Sequence, residues 1–371
     1  MMDLIVPEIV KMCLCLRNCK VKRRKLKIMA VMVIFSVVCL CYDRLRRGWS
    51  YTIYRHSSYH DVTQPSTQSD TTDLNLGLDL TDDKLKEYVT SGVVMNDFKF
   101  LVNSDVCKSA QSVYVLVIVP SKPTNLDERT AIRQTWGSRF KMEVNLKLVF
   151  LLGLEASHVD NQLAEEQKTH ADIVQGNFID SYKNLTLKTV AMLQWSRQFC
   201  PLARYVMKVD DDVFLETDNL LSKLNLLDTE SRFILGYTDI ADTPIRNSTN
   251  KWYVSFEQYP FTQFPRFVHG PAYVISGDLV ADLFKIARHA PPIHLEDVYV
   301  TGLCAHIARA SHVSTSGVGL EPKQWHDWIH SKSVIAAHGY TPSAMRYLWL
   351  ELVKWRHLIP LLRFMGTVYG Y

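Results

Sequence analysis

The stretch VYVLVIVP, residues 113 to 120, decides the fold class of this 371-residue chain. Its first seven residues are all apolar, without the alternating polar positions of a strand that has one face in water. Continuous β-branched runs of this kind are typical of strands that are buried on both faces, and such strands usually belong to parallel sheets. Pro120 ends the run.

Helical and strand-like segments alternate after this run. The segment NLDERTAIRQTWG predicts a helix that begins at Asn125 or Asp127 and ends at Gly137. Further along, helical patterns separate three strand-like runs, which are LKLVFLLG, DIVQG and RYVMKV. The alternation predicts an α/β fold with a mostly parallel central sheet flanked by helices.

The N-terminal region has a different composition. Residues 1–47 hold eleven Lys and Arg against three Asp and Glu, whereas the whole chain carries a net charge of only +4. The remainder of the chain is therefore acidic, and its bulk charge does not indicate a nucleic-acid partner.

A basic segment, KVKRRKLK, precedes the apolar run IMAVMVIFSVVCLCY at residues 28–42. This order predicts a single transmembrane helix with residues 1–27 in the cytosol, which is type II topology. A cleaved signal peptide is the alternative, but no small-residue cleavage pattern follows the run. The short span favours a thin membrane of the early secretory pathway, and we expect the Golgi apparatus membrane.

Residues 43–106 are rich in Ser, Thr and Asp and predict a luminal stem that precedes the folded domain, residues 107–371. The triplets NLT and NST make Asn184 and Asn247 candidate glycosylation sites, as a luminal chain allows.

Three adjacent carboxylates, Asp210, Asp211 and Asp212, follow the strand-like run RYVMKV. Ligands of open α/β sheets bind at the carboxyl ends of strands, so these side chains are expected in a binding cleft. Such oxygen-rich groups suit a hard divalent ion such as Mn²⁺ or Mg²⁺, which commonly neutralises a diphosphate. An acidic turn without a ligand is the alternative. A Ca²⁺-binding adhesion module would need further acidic loops or repeats, which the sequence does not show.

Asp297 precedes Val300 and Cys304 by three and seven residues in a segment with helical spacing. Its side chain is therefore expected to point inward at the start of a helix, where a carboxylate can act as a general base. Helix capping is the competing role, and Glu296 is the alternative base.

Two further groups are candidates for ligand contacts. Arg129 and Arg133 lie four residues apart on one helix face, and guanidinium groups suit diphosphate or uracil-ribose oxygens. The segment KWYVSFEQYPFTQFP has a composition that suits an acceptor sugar, although aromatic residues also serve a core. Its candidate acceptor-binding residues are Trp252, Tyr253, Glu257 and Tyr259.

Six blocks occur in an order that resembles the β1,3-glycosyltransferases, a family that includes β1,3-galactosyltransferases and β1,3-N-acetylglucosaminyltransferases. The blocks are ERTAIRQTWG, DSYKNLTLKT, KVDDDVF, KWYVSFEQYP, GPAYVISGD and LEDVYVTGLC. The resemblance covers about residues 107–350. It implies a GT-A type glycosyltransferase fold in a catalytic domain with a nucleotide-sugar half, about 107–215, and an acceptor half, 216–371.

The resemblance also implies Mn²⁺ as a cofactor, bound with the donor diphosphate at the acidic motif. It points to Asp210 and Asp212 with Asp211 between them, to Asp212 as direct metal ligand, and to His338 as the second ligand. A rival metal cluster is WHDWIH, with His326, Asp327 and His330.

The reaction implied by the resemblance is an inverting transfer in which Asp297 is the base. The expected donor is UDP-galactose, with UDP-GlcNAc as the alternative, and the acceptor is the 3-hydroxyl of a glycan on protein or lipid. A homodimer is compatible with this function. A catalytically silent carbohydrate-binding relative is the alternative, and the intact acidic and EDVY motifs argue against it.

The chain departs from the family pattern at VHGPAYVIS, where Val268 replaces a cysteine that many members carry. If that cysteine pairs with the one in GLC, Cys304 has lost its partner here. The resemblance then leaves Cys107 and Cys200 as the candidate disulfide, whereas the sequence alone also allows three buried, unpaired cysteines.

Overall fold

The structure is a computed structural model that describes residues 81–92, 94–155, 161–227, 230–238, 242–331 and 333–369. The predicted cytosolic tail and transmembrane segment, and most of the predicted stem, lie outside these residues. Among the helices that the structure describes, none combines the length and the apolar character that a bilayer crossing requires.

The predicted alternation of helices and strands is confirmed. The helices are α1 Asp82–Thr90, α2 Leu126–Gln134, α3 Arg139–Met142, α4 Asn161–His170, α5 Leu185–Phe199, α6 Thr217–Leu226, α7 Gly277–Ala287, α8 Ala305–Ile307, α9 Trp325–His330 and α10 Pro342–Tyr369. A π-helix covers Val298–Cys304, and 3₁₀ turns cover Trp136–Ser138 and Tyr182–Asn184. The strands are β1 Phe100–Val102, β2 Val113–Pro120, β3 Leu146–Leu154, β4 Ile173–Ile179, β5 Ala203–Val209, β6 Phe214–Leu215, β7 Phe233–Gly236, β8 Ala272–Ser276, β9 Ser311–Ser314, β10 Val318–Gly319 and β11 Ala336–Ala337.

The central sheet has eight strands in the order β1-β4-β3-β2-β5-β8-β7-β9. Strands β4, β3, β2 and β5 are parallel, as the sequence predicts for this half of the chain. Strand β8 runs antiparallel to both β5 and β7, and β1 is antiparallel to β4. Strand β7 pairs parallel with β9, so β1 and β8 run against the other six strands that the structure describes in this sheet. The sheet is therefore mixed, and the expectation of a mostly parallel sheet is confirmed for those six strands. The chain re-enters at the edge where β5 ends, since the Asp210 N–H donates to the Pro271 carbonyl, so β8 must run in the opposite direction.

Strand β2 is buried on both faces, as its apolar run predicts. On one face, Leu116 and Ile118 pack in a hydrophobic cluster that includes side chains of α5 and α7. On the other face, Val117 and Val119 pack in a second cluster that includes Ile132 of α2. The two clusters fix the sheet between helical layers, so the carboxyl ends of its parallel strands are held in place.

A disulfide joins Cys107 to Cys200, with an S–S distance of 2.03 Å. It ties the segment before β2 to the end of α5, at the side of the sheet where the parallel strands begin. Cys304 is a buried free thiol.

A second, three-stranded sheet has the order β10-β11-β6. Strand β6 follows the acidic residues that end β5, and it pairs antiparallel with β11, where Phe214 lies opposite Ala337. This pairing brings the chain after residue 337 back to the carboxyl edge of the central sheet.

Candidate active site

The small sheet places His338 against Asp212. The backbone carbonyl of Asp212 accepts from the N–H groups of Gly339 (3.0 Å) and Tyr340 (2.8 Å), which locks the two segments together. His338 Nε2 lies 3.0 Å from Asp212 Oδ2, and the two side chains are 37% and 40% exposed. The hydrogen bond to Asp212 raises the pKa of His338 above its usual value.

This pair fits a divalent metal such as Mn²⁺, because it offers one carboxylate oxygen and one imidazole nitrogen at a solvent-accessible edge. Within the described ranges, no cluster of three or more His, Cys, Asp or Glu side chains is arranged to hold a metal ion. The protein would thus supply two ligands and leave the other coordination positions to water or substrate oxygens.

Asp211, the middle residue of the acidic run, is engaged by the loop that follows β2. Its Oδ2 accepts from Ser121 Oγ at 2.7 Å and from Asn125 Nδ2 at 2.9 Å. Sequence analysis treated Asn125 only as a helix cap and missed Ser121. The polar pair directly after an apolar strand was the available signal, because both residues sit at the same sheet edge as the acidic run. Asp211 therefore connects the end of β5 to the loop after β2, whereas the sequence predicted that it contacts the donor diphosphate.

Asp210, the first residue of the run, is bound by the buried Lys208. The Lys208 ammonium lies 2.7 Å from Asp210 Oδ1 and 2.8 Å from Glu296 Oε1, and it donates to the Gly270 carbonyl at 2.6 Å. Burial opposes the charged ammonium, but the charges of Asp210 and Glu296 outweigh it and raise the pKa of Lys208. Burial also raises the pKa of Asp210 to about 6. Lys208, which sequence analysis did not single out, thus connects the acidic run to the segment around residue 296.

Asp297 lies at the start of the π-helix Val298–Cys304, as the predicted inward position at a helix start requires. Its Oδ1 accepts from the Val298 N–H (2.9 Å) and its Oδ2 from the Gly270 N–H (3.0 Å). A Cβ at position 270 would lie 3.2 Å from Asp297 Oδ2 and from Glu296 Oε1, which is tighter than an ordinary contact, so glycine leaves room for both carboxylates. Burial, with the neighbouring charge of Glu296, raises the pKa of Asp297 to about 6.

Glu296, the alternative base, is buried and fully engaged. Its Oε1 forms an ion pair with the Lys208 ammonium, and its Oε2 accepts hydrogen bonds from Thr189 Oγ1 (3.1 Å) and the Tyr273 hydroxyl (3.0 Å). A carboxylate with three donors has little capacity to accept a further proton from a substrate, so the geometry favours Asp297 as base.

The two candidate arginines are buried in ion pairs. Arg129 donates to Glu166 Oε1 (2.8 Å) and Oε2 (2.7 Å), and Arg133 donates to Asp172 at 2.9 and 2.7 Å. The predicted contact with the donor does not fit the structure, because both guanidinium groups are buried and already donate hydrogen bonds to carboxylates. Arg129 also donates to Ser121 Oγ (3.2 Å), so it supports the loop that holds Asp211.

The aromatic segment divides into core and surface. Tyr259 is 0% exposed and donates its hydroxyl to the Gln263 carbonyl (2.7 Å), so the prediction that it contacts an acceptor is wrong, because its ring belongs to the core. Trp252 is 45% exposed, Tyr253 is half-buried and Glu257 is exposed, so these three remain available.

Tyr182, which sequence analysis missed, lies next to this surface. The Lys251 ammonium lies 4.9 Å from the Tyr182 ring and 5.6 Å from the Trp252 ring. Burial raises the pKa of Tyr182, and the negative charge of Asp297 adds to this effect. The block DSYKNLTLKT was the signal, since it carries an aromatic residue directly after a strand. The exposed aromatic surface is therefore within electrostatic range of Asp297.

The rival cluster WHDWIH forms α9. Asp327 accepts from the Gln324 N–H (3.0 Å) in a capping box, which is a structural use of this carboxylate. The side chain of His330 lies outside the described part of the chain. Of the two candidate glycosylation sites, Asn247 is exposed, whereas Asn184 is half-buried and donates to the Ile179 carbonyl (2.8 Å).

Comparisons with known proteins agree with these motifs. The family model described as Galactosyltransferase matches residues 127–316. The chain is 35% identical over 274 residues to the rat UDP-GalNAc:β-1,3-N-acetylgalactosaminyltransferase 1, which covers 72% of this chain and 82% of the relative. It is 35% identical to the Xenopus tropicalis lactosylceramide 1,3-N-acetyl-β-D-glucosaminyltransferase (68% and 70% covered) and to the mouse β-1,3-galactosyltransferase 1 (71% and 81% covered).

A crystallised galactosyltransferase with donor and acceptor sugar analogues gives a TM-score of only 0.34 at 9% identity, over 64% of this chain and 95% of that one. The family model covers about half of the chain, and the three relatives cover more than two thirds of it. The chain therefore belongs to the Galactosyltransferase family and is an enzyme of the β1,3-glycosyltransferase type.

Proposed function

We propose that the enzyme is an inverting, metal-dependent β1,3-galactosyltransferase with a GT-A type fold. In this proposal it moves galactose from UDP-galactose to the 3-hydroxyl of an acceptor glycan on a glycoprotein or glycolipid. The observation that carries the proposal is the assembly of two separate acidic groups at one sheet edge. The metal-binding pair Asp212–His338 and the base Asp297 come from distant parts of the chain, and Lys208 connects them through Asp210 and Gly270.

Asp212 and His338 would hold Mn²⁺, which supplies Lewis-acid stabilisation of the leaving diphosphate. The protein's own contribution at this edge is to fix the two ligands. The backbone bonds from Gly339 and Tyr340 to Asp212 hold the imidazole and the carboxylate in one arrangement.

Asp297 accepts the proton of the acceptor 3-hydroxyl while that oxygen attacks the anomeric carbon. The new bond joins the acceptor oxygen to the anomeric carbon, and the bond to the β-phosphate oxygen breaks with its electron pair going to UDP. Because attack comes from the face opposite UDP, the anomeric configuration inverts. The raised pKa of about 6 suits this role, since the carboxylate is ionised near neutral pH and is more basic than an ordinary Asp.

Trp252, Tyr253 and Glu257, together with Tyr182, would bind the acceptor sugar. Aromatic faces stack on the apolar side of a sugar ring, and a carboxylate accepts from its hydroxyl groups. The Lys251 ammonium contacts the rings of both Tyr182 and Trp252, which connects these two parts of the surface. The proposal also places the enzyme in the Golgi membrane with type II topology, as a monomer or a homodimer.

The test is a transfer assay on the full chain in detergent, with and without Mn²⁺ and EDTA. UDP-galactose, UDP-GlcNAc and UDP-GalNAc are compared over neutral and acidic acceptor oligosaccharides, and the linkage and anomer of the product are read by NMR. We expect chelator-sensitive formation of a β1,3-linked galactoside. Preference for an N-acetylhexosamine donor would overturn the assignment of galactose as the donor sugar but leave the proposed reaction type unchanged. An α-linked product or metal-independent transfer would overturn the mechanism. UDP binding without transfer to any acceptor would identify a silent carbohydrate-binding relative.

A further inference from the structure

A basic cavity of about 490 Å³ lies beside the π-helix Val298–Cys304, apart from the residues assigned above. Five segments of the chain line it, namely α1, the loop before β8, α8, the turn before β9 and β9 itself, which contributes His312. The lining residues that matter here are Asp82, Lys86, Arg266, His306, Ile307 and Arg309.

Three cations of this cavity lack a carboxylate partner among the residues that the structure describes. Within the described ranges, Lys86 and Arg309 make no side-chain ion pair, and Arg266 donates to Thr238 Oγ1 at 2.9 Å and to no carboxylate. The one acidic residue, Asp82, lies 3.0 Å from His306 Nε2. Three positive charges around one cavity repel one another, and an anionic group with several oxygens would offset that repulsion.

Arg309 has an unusual backbone conformation. Its φ is +55°, in the left-handed region that favours glycine. It lies in the turn that ends α8, where the Ala310 N–H donates to the Ala305 carbonyl (2.9 Å). Helices commonly end on glycine at such a turn, so an arginine is strained here. Ala171 and Arg232 have the same conformation, at φ +55° and +52°, so the conformation alone does not assign a role to the guanidinium. Glycine can replace Arg309 without strain, which makes the position suitable for a test.

The other lining groups indicate a sugar rather than a lipid surface. The cavity is concave and has the size of a small-molecule site, whereas a membrane would meet a flat basic face. Ile307 offers apolar area, and Asp82 and His306 offer partners for hydroxyl groups. Arg266 is four residues before Gly270, whose N–H donates to the base Asp297, so one short segment serves both the cavity and the catalytic edge.

We propose that the basic cavity binds an acidic sugar unit of the acceptor glycan through a carboxylate or sulfate group. This proposal rests on the proposed function, because it assigns part of the acceptor to a second subsite. The enzyme would then prefer glycans that carry an acidic unit in addition to the hydroxyl that receives the new sugar.

The direct test is thermal unfolding of the full chain in detergent at constant ionic strength. The probes are sodium glucuronate and glucose 6-sulfate, with glucose as the neutral control and inorganic sulfate as the anion control. We expect the two acidic sugars to raise the unfolding temperature and to do so more than sulfate, and glucose to have no effect. Equal responses to glucose and glucuronate, or to sulfate and glucose 6-sulfate, would overturn the assignment to an acidic sugar.

Two variants make this test specific. Arg309→Gly removes the guanidinium and relieves the positive-φ strain, so the chain should remain at least as stable as the wild type while its response to glucuronate is lost. The combined variant Lys86→Gln, Arg266→Gln and Arg309→Gly should weaken glucuronate binding by about tenfold or more. A matched control carries Lys99→Gln, Lys168→Gln and Lys285→Gln, three exposed lysines outside the cavity, and should respond like the wild type. An unchanged glucuronate response in the cavity variants would overturn the proposal.

Turnover separates this proposal from the function on which it rests. Cavity variants should transfer to a neutral acceptor at the wild-type rate and show about a tenfold higher KM for an acceptor with a glucuronate or sulfate group. Absence of transfer by the wild type would count against the proposed function alone, since glucuronate binding needs no turnover. Loss of binding to phosphatidylserine vesicles in the cavity variants, without any response to acidic sugars, would overturn the sugar assignment in favour of a membrane contact.

Discussion

The acidic run Asp210–Asp212 and the acidic pair Glu296–Asp297 use the same chemical group in different surroundings. Each carboxylate of the run has a different partner element, and the Asp212 side chain is 40% exposed at the sheet edge. The pair lies under the Gly270 loop, and the Glu296 side chain is only 5% exposed. Residue type therefore does not fix the role of a carboxylate, whereas its partners do. An exposed carboxylate beside an imidazole can bind a metal, and an enclosed one with a raised pKa can take a proton.

The largest effect on turnover should come from Asp297→Asn, which keeps the shape of the base and removes its capacity to accept a proton. We expect kcat to fall by roughly 10²–10⁴-fold, while UDP binding changes little, because the metal-binding pair is untouched. Steady-state kinetics and calorimetric titration with UDP and Mn²⁺ would measure the two quantities. A small loss in Asp297→Asn together with a large loss in Glu296→Gln would reverse the assignment within the pair.

On the exposed side, His338→Ala should reduce turnover by an amount on the order of 10²-fold and raise the Mn²⁺ concentration needed for half-maximal rate. Asp212→Ala should act in the same direction, since both changes remove a ligand without removing core volume. A Mn²⁺ titration of activity gives the measurement. His326→Ala, in the rival cluster on α9, is the matched control and should titrate like the wild type. A shifted Mn²⁺ titration in His326→Ala, with an unchanged one in His338→Ala, would assign the metal site to α9 instead.

The substitution Lys208→Met removes the ammonium that connects the two acidic groups. The wild-type kcat/KM should decrease as pH falls through about 6, because Asp297 becomes protonated there. Glu296, Lys208, His269, Tyr273 and Tyr182 interact electrostatically with Asp297, and the positive charge of Lys208 favours the ionised carboxylate. Its removal should shift the acidic limb of the profile to higher pH by about one unit, which lowers kcat/KM about twofold at pH 7 and roughly tenfold below about pH 5.

The control for this shift is Lys208→Arg, which retains the charge. An acidic limb that stays in place in Lys208→Met, with the same loss at every pH, would mean that the lysine serves packing alone. A double variant with Glu296→Gln removes one negative charge as well, so its acidic limb should return toward the wild-type position.

The smallest effect on catalysis should follow from loss of the Cys107–Cys200 bond, which lies away from both acidic groups. Closing a loop with a sequence separation of 93 residues, this disulfide is expected to contribute roughly 2–5 kcal/mol to the free energy of unfolding. The double variant Cys107→Ser, Cys200→Ser should therefore have a lower Tm and an unchanged pH profile at 25 °C. A displaced acidic limb would show that the disulfide also fixes the geometry of the site.

The sequence predicted the parallel strands β2 to β5 because they are apolar runs, long in VYVLVIVP and short in DIVQG, with helical segments between. Strand β8 is a short run, AYVIS, and its direction depends on where the preceding loop returns, which a local pattern does not encode. The candidate metal-binding pair and the base were also accessible from motifs, since their residues stand at strand and helix ends.

Partner choice was the part that local patterns could not supply. Arg129 and Arg133 are charged residues on an amphipathic helix, and their carboxylate partners Glu166 and Asp172 lie 37 and 39 residues further along the chain. Tyr259 has the same composition signal as Trp252, but one ring is in the core and the other in solvent. In the sequence, Lys208 is a single polar position in a buried strand. Only the fold shows that it contacts Gly270 and Glu296, which are 62 and 88 residues further along the chain.

The late position of His338 in the chain has a consequence for biosynthesis. The ribosome makes Asp212 and Asp297 well before β11, and domains generally begin to fold from the N-terminal side during synthesis. A nascent chain that ends before residue 336 can build the central sheet but lacks the strand that aligns the imidazole with Asp212. Under the proposed role of His338, full activity is acquired late in translation, so arrested or clipped chains would turn over sugar nucleotides far more slowly even where most of the domain has folded.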